Sequence, residues 1–230
     1  MKKSGCNRIF SVKPPYYLAL TIEHLFGTGK DVLFIEGDGD HRWARNDKNW
    51  EQFTALGPQA NYLYRQAEDI RRLKKGNHVF RAEYDHNTGS LTVPRKVNTK
   101  KYIALSGLHS LYLPALRDEL DLKIFMDTDN ELRNYWKIER DTKTRGHSKE
   151  EIVEQIRKRL PDAEKYIYPQ KAYADLVITY FDKTLENCYQ ENHIVELSVK
   201  FYLENFFKFA AESMNSRRIL AAGRNSFNLF

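Results

Sequence analysis

A group of basic side chains in the second half of the chain has the spacing needed to handle a highly charged anion. Arg133, Lys137 and Arg140 follow one another at intervals of four and three residues, which places the three cations on one face of a helix. Such a face can close over a triphosphate and stabilise the negative charge that spreads over a transferring phosphoryl group. The alternative is an exposed helix with internal ion pairs, because acidic residues are near at Glu131, Glu139 and Asp141.

A second candidate group lies in the segment GDGDHR at 37–42, directly after an apolar run. A carboxylate at a strand end, such as that of Asp38, can accept the proton of a hydroxyl that attacks phosphorus. The alternative is a polar loop with ordinary Asp-Gly turn chemistry. The segment at 84–86, Tyr-Asp-His, is followed by Asn87-Thr88-Gly89, which are typical of a hairpin turn.

Short apolar runs rich in β-branched and aromatic residues alternate with helical stretches. The runs are Arg8 to Val12, Asp31 to Ile35, Lys101 to Leu105, Asp121 to Met126, Asp175 to Tyr180 and Ile194 to Val199. Alternation of this kind predicts βαβ units, and apolar residues on both faces indicate parallel strands covered by helices. The predicted fold class is α/β: a doubly wound, mostly parallel sheet flanked by helices, with ligands at the carboxyl ends of the strands.

Three helices are predicted. The first runs from Pro14 to Phe26 and the second from Gln59 to Lys75, each closed by a following glycine. The third begins at Ser148, where Ser148 and Glu151 match a capping box, and Pro161 marks its far end. Residues 1–200 are expected to form the main domain, and 201–230 a C-terminal helix and tail.

The charge balance indicates an anionic ligand. A formal net charge of +6 suits nucleic acid or a phosphorylated metabolite. Basic residues such as Arg71, Arg72, Lys74 and Lys75 follow acidic neighbours, which favours a solvated helix face over a nucleic-acid surface. Nucleic acid is therefore the disfavoured partner.

The chain carries no sign of a membrane or secretory context. No apolar run approaches the roughly 18 to 20 residues that cross a bilayer, and the segment MKKSGCNRIF lacks an apolar signal region. Cys6 and Cys188 are too few and too far apart for a disulfide framework or a metal site. We expect a cytoplasmic protein without a membrane span.

Four segments in order carry a family resemblance: GDGDHRW at 37–43, YDHNTG at 84–89, SGLHSLY at 106–112, and the block from Asp121 to Ser148 with its RD and RGHS elements. Together they resemble the phosphoribulokinase and uridine kinase family of P-loop kinases. The resemblance implies a P-loop NTPase-like fold, a helical lid at about 133–148, ATP and Mg²⁺ as cofactors, and phosphoryl transfer to a hydroxyl of a nucleoside or sugar phosphate.

The resemblance also implies roles for individual residues. Asp38 takes the place of the catalytic base, and Arg133, Lys137, Arg140 and Arg145 form the lid over ATP, with Arg145 in the loop after the helix. The residues that would bind the phosphoryl acceptor are His41, Arg42, Tyr84, Asp85 and His86. Gly39 and Asp40 stand where the family pattern has an acidic residue and an aromatic, which predicts a more flexible loop with its acidic group displaced by one residue.

Two elements of the family pattern are missing. The junction after the first strand reads SVKPPYY at 11–17 instead of G-x-x-x-x-G-K-[ST]. Pro14 and Pro15 have no N–H to offer to phosphate, so Lys13 remains as a point charge. Ser106 stands where the family shows an acidic residue before Gly-Leu-His, which puts magnesium binding in doubt. Gly27-Thr28-Gly29-Lys30 follows a predicted helix and is read as a turn.

Three hypotheses follow from these observations. The first is an ATP-dependent small-molecule kinase, and the second is a kinase-like module without turnover that has a binding or regulatory role. Such a module would pair with an intact kinase domain or with itself. The third is a working enzyme whose N-terminal part is incompletely represented. The acceptor stays open among ribulose phosphate, uridine and pantothenate-like alcohols.

Overall fold

The computed structural model describes residues 8–11, 30–182 and 197–202. Lys13, the predicted helix from Pro14 to Phe26, and the predicted C-terminal helix and tail beyond residue 202 lie outside the described residues. Residues 201 and 202 belong to a strand. The environment of the Arg145 side chain is also outside the described part.

The core of the molecule is a six-stranded sheet, and the α/β prediction is confirmed. Its strands are β1 (Arg8–Ser11), β2 (Val32–Glu36), β7 (Tyr102–Ser106), β8 (Leu122–Thr128), β9 (Leu176–Asp182) and β10 (Leu197–Tyr202). They lie in the order β10-β9-β8-β1-β7-β2, and every neighbouring pair is parallel except β9 and β10. Because β7 separates β1 from β2, the chain crosses over between them, as a doubly wound sheet requires.

Two small hairpins lie beside this sheet. Strand β3 (Val79–Arg81) pairs with β6 (Arg95–Val97), and β4 (Tyr84–Asp85) pairs with β5 (Ser90–Leu91). The turn of the second hairpin is closed by Gly89 at φ +70, a conformation that glycine adopts without strain. The hairpin expected at Asn87-Thr88-Gly89 is therefore present, and it carries the Tyr-Asp-His segment.

Helix α1 (Leu63–Lys74) begins four residues later than predicted. Pro58–Ala60 form a separate 3₁₀ turn, and Asn61 is extended because its backbone forms a bridge with His41. The apolar face of α1 buries Leu63, Ala67, Ile70 and Leu73 against the sheet. Gly76, at φ +87, ends the helix region as expected.

Helix α2 is a single turn (Pro114–Arg117), and two longer helices follow β8. Helix α3 (Asn130–Arg145) is capped by Asp129 and closed by Gly146. Helix α4 (Lys149–Asp162) begins at Ser148 with the predicted capping box to Glu151. Arg145 is thus the last helical residue and does not lie in the adjoining loop.

The predicted far end of the third helix at Pro161 agrees to within one residue, because α4 ends at Asp162. Pro161 lies inside α4, and the chain continues through a π turn (Ala163–Ile167) and a 3₁₀ helix (Tyr168–Tyr173). The wider turn that follows at Ala163–Ile167 is a common accommodation of a disturbed hydrogen-bond ladder. Within the described ranges, no helix has the length and apolar character that crossing a membrane requires.

Candidate functional site

The carboxyl ends of β2 and β7 touch through two glycines. A Cβ built on Gly37 would lie 3.1 Å from the Cα of Gly107, and the reverse contact is also 3.1 Å. This close approach places the 3₁₀ turn Gly37–Asp40 directly over the end of β7. The turn presents Asp38 at the edge of the sheet where α/β proteins bind their ligands.

The carboxylate of Asp38 lies between two imidazole rings. Nε2 of His41 is 3.7 Å from its Oδ1, and Nε2 of His86 is 3.6 Å from its Oδ2. Tyr84 joins the group, since its ring meets His41 edge-on at 5.5 Å and His86 at 5.1 Å between centroids. The structure therefore brings together four of the predicted residues from two separate segments.

Two other residues that were predicted to contact the phosphoryl acceptor, Asp85 and Arg42, point elsewhere. The Asp85 carboxylate accepts hydrogen bonds from Asn87 N and Thr88 Oγ1, both at 2.9 Å, and so stabilises the hairpin turn. The hydrogen bond from the Asn87 backbone, followed by that from Thr88, lowers the pKa of Asp85. The Arg42 guanidinium lies 4.7 Å from the centre of the Tyr62 ring. Neighbouring residues of a bridged segment face opposite sides, which separates Arg42 from His41.

Asp40 does not act as a displaced site carboxylate. Its side chain is 1% exposed and accepts hydrogen bonds from Arg81 at 2.6 Å, Gln66 at 2.8 Å and Arg65 at 3.2 Å. The second arm of Arg81 donates to Asp69 at 2.8 Å. Burial raises the pKa of Asp69, against the lowering effect of Arg81. A buried carboxylate is tolerated because these cations and the amide compensate its lost hydration.

The expectation of a flexible loop is also corrected. Gly39 is buried, and a Cβ at this position would lie 2.4 Å from the carbonyl oxygen of Ala82. Glycine is present here because the turn packs directly on the backbone after β3. With Asp40 anchored beside it, the segment 37–41 is firmly held. Arg81 was missed by sequence reasoning, although an arginine within the short strand VFR was a signal.

Three of the predicted lid cations, Arg133, Lys137 and Arg140, have partners within the protein. Asp141, 2% exposed, accepts from Lys137 Nζ at 2.5 Å and from Arg140 Nε at 2.8 Å. Burial raises the pKa of Asp141, but the hydrogen bonds and charges of Arg140 and Lys137 outweigh it and bring the pKa to about 2. Arg133 donates to the Tyr168 hydroxyl at 2.5 Å. The internal ion pairs of the alternative interpretation are thus present on helix α3.

Ser106 stands at the carboxyl edge where the family pattern led us to expect an acidic residue. It ends β7 and is in register with Glu36 at the end of β2. In kinase sites magnesium is usually held by one or two carboxylates together with substrate phosphates and water. In the ranges 8–11, 30–182 and 197–202, no three Asp, Glu, His or Cys side chains converge as metal ligands would.

Comparison with known proteins identifies a family for this chain. The model of the Phosphoribulokinase / Uridine kinase family matches residues 38–186. The chain is 41% identical to the chloroplastic phosphoribulokinase of Spinacia oleracea over 141 residues, 61% of this chain and 35% of that protein. It is 39% identical to the uridine kinase of Ligilactobacillus salivarius over 97 residues, 42% of this chain and 45% of that protein.

Both curated relatives are therefore matched over less than half of their length. A solved phosphoribulokinase from Rhodobacter spheroides has the same fold, with a TM-score of 0.76 at 22% identity, over 93% of this chain and 86% of that one. The family match and the mostly parallel sheet agree with each other. This chain belongs to the phosphoribulokinase and uridine kinase family.

Proposed function

We propose that this chain is a small-molecule kinase-like protein that binds a hydroxyl-bearing acceptor, a nucleoside or a sugar phosphate, at Asp38. ATP-dependent phosphoryl transfer to that hydroxyl is the reaction for which the arrangement is suited. The observation that carries the proposal is the position of the Asp38 carboxylate at the end of β2, with His41 and His86 facing its two oxygens at 3.7 and 3.6 Å. Both distances exceed a direct hydrogen bond.

The space beside Asp38 suits one hydroxyl group. A cavity of about 10 Å³ is lined by Asp38, His41, Gln66 and the backbone at Gly37 and Gly107, which is room for a single water-sized group. A hydroxyl there donates its proton to the carboxylate, and Asp38 accepts that proton as the oxygen attacks phosphorus. His86 and Tyr84 hold the other side of the ligand. No step is assigned to magnesium.

A second candidate function is acceptor binding without turnover, in a regulatory role beside an intact kinase domain or a second copy. It is favoured by the sequence SVKPPYY in place of a phosphate loop, by Ser106 in place of an acidic residue, and by the ion pairs that Asp141 forms with Lys137 and Arg140. Loss of one preorganised charge-stabilising group costs about 3 to 4 kcal/mol of transition-state stabilisation. Two such losses reduce the rate by several orders of magnitude.

Calorimetric titration distinguishes the two candidates. The protein is titrated with uridine, ribulose 5-phosphate and pantothenate, each with and without ATP and Mg²⁺, and phosphoryl transfer is followed by ADP release. Acceptor binding with transfer supports the kinase, and acceptor binding without nucleotide binding supports the module. Absence of binding by all three acceptors contradicts the proposed function in both forms.

A further inference from the structure

The buried amide of Asn61 has a fixed orientation. Its Nδ2 donates both of its protons to backbone carbonyls, to Gly57 O at 3.0 Å and to Ala55 O at 3.2 Å. A flipped amide would lose both bonds and place its oxygen against two carbonyl oxygens. The oxygen Oδ1 is therefore the atom that faces His41.

This orientation determines which nitrogen of His41 carries the proton. Nδ1 of His41 lies 2.8 Å from Asn61 Oδ1, and Oδ1 only accepts hydrogen bonds. Nδ1 must therefore be the protonated nitrogen, which leaves a lone pair on Nε2 in the neutral ring. Nε2 is the atom that faces the Asp38 carboxylate.

Two side-chain acceptors therefore face the cavity beside Asp38, the carboxylate itself and Nε2 of His41. Gln66 also lines the cavity and donates from its Nε2 to Asp40 at 2.8 Å. The Oε1 atom of Gln66 is buried without a hydrogen-bond partner among the described residues. A cavity of this kind favours an occupant that donates hydrogen bonds and disfavours one that only accepts them.

We propose that Asn61 is a positioning residue that fixes His41 in its Nδ1–H tautomer, so that the bare Nε2 does not donate to Asp38 and the carboxylate stays available to accept from one hydroxyl of the ligand. The backbone also holds the pair: Arg42 N donates to Ala60 O and Tyr62 N to Asp40 O, on either side of the His41–Asn61 bridge. The side chain of Asn61 can thus be changed while the bridge remains. The ligand part of this inference rests on the proposed function, whereas the tautomer does not.

Nitrogen NMR of ¹⁵N-histidine-labelled protein at pH 8 tests the tautomer. The His41 signals are identified by their absence from the His41→Gln variant. We expect the wild type to carry the proton on Nδ1 and a bare Nε2. A proton on Nε2 in the wild type, alone or together with one on Nδ1, overturns the inference even if no variant can be prepared.

Variants extend the test to the role of Asn61. Asn61→Leu removes the acceptor and should allow the proton to move to Nε2. The exposed Asn77→Leu is the matched control and should leave the His41 signals unchanged. An unchanged tautomer in folded Asn61→Leu overturns the positioning role.

Affinity for the acceptor that binds in the titrations above gives an independent readout. We expect Asn61→Leu to weaken this affinity about tenfold, which corresponds to the loss of one hydrogen bond to a charged or buried group. Equal weakening by Asn77→Leu contradicts this expectation. If no acceptor binds at all, the proposed function fails while the NMR result still decides the tautomer.

Discussion

The guanidinium of Arg81 donates to the carboxylate of Asp40 at 2.6 Å, and both side chains are buried. This ion pair ties the turn that carries Asp38 to strand β3, because Asp40 is only two residues beyond Asp38. The same arginine holds Asp69 of helix α1. One cation therefore joins the candidate site to a strand and to a helix.

Replacement of Arg81 by methionine should destabilise the protein strongly. The change leaves Asp40 with Gln66 and Arg65 alone, and a buried carboxylate that loses its ion pair costs about 3 to 5 kcal/mol. Urea denaturation measures the free energy of unfolding. The exposed Arg72→Met on the same helix as Asp69 is the control, with an expected change within about 0.5 kcal/mol. Equal effects of the two substitutions would contradict the structural role of Arg81.

Substitution of Gly39 by alanine should disturb the turn itself. The new Cβ would meet the Ala82 carbonyl oxygen at 2.4 Å, so the backbone must move, at a cost of about 1 to 3 kcal/mol. Thermal unfolding and acceptor affinity are both expected to fall. Gly57→Ala is a suitable comparison, because there the nearest atom is the flexible end of Gln59 at 3.0 Å. A smaller loss in Gly39→Ala than in Gly57→Ala would show that the turn is less tightly packed than described.

The contribution of Asp141 to stability should depend on pH in the acid range. Its folded pKa of about 2 lies below the ordinary value of 3.8, so its stabilisation is fully present above pH 4 and is lost as pH falls through about 2. Asp141→Asn should therefore lower the free energy of unfolding by about 2 kcal/mol at pH 7.

The difference between the wild type and Asp141→Asn should shrink as the pH is lowered from 4 toward 2. Denaturant unfolding at several pH values measures this difference. Glu154→Gln, an exposed change on helix α4, serves as the control and should show little effect at any pH. A difference that stays constant down to pH 2 is the result that contradicts the ion pairs on α3.

Asp38→Asn should affect function far more than stability. The amide cannot accept the hydroxyl proton, so phosphoryl transfer by an active protein should fall by roughly 10²- to 10⁴-fold. The free energy of unfolding should change by less than about 1 kcal/mol, because the Asp38 carboxylate is partly exposed and its contacts with the described residues, to His41 and His86, are long. An ADP-release assay and urea denaturation measure the two effects. Asp118→Asn, on an exposed position, should change neither, and transfer at the full rate in Asp38→Asn would exclude Asp38 as the base.

Local chemistry was enough to predict part of the fold. Ser148 and Glu151 cap α4 through contacts three residues apart, and Gly76 and Gly89 take positive φ where sequence placed a helix end and a turn. Such features depend on neighbouring residues, which the order of the chain supplies. Helix ends that depend on distant partners were predicted less well. Asn61 is held extended by its bridge to His41, so α1 begins only after it, at Leu63.

The sequence by itself determined the α/β class, the family and the acidic turn after β2, because apolar periodicity and ordered motifs are properties of the chain. Only the tertiary structure decided that Asp38 and not Asp40 faces the site. The two carboxylates are chemically alike and two residues apart, so their environments distinguish them. Asp40 meets the buried Arg81 from a strand some forty residues away in the chain. Among the described residues, Asp38 meets two imidazole rings at the ligand edge of the sheet.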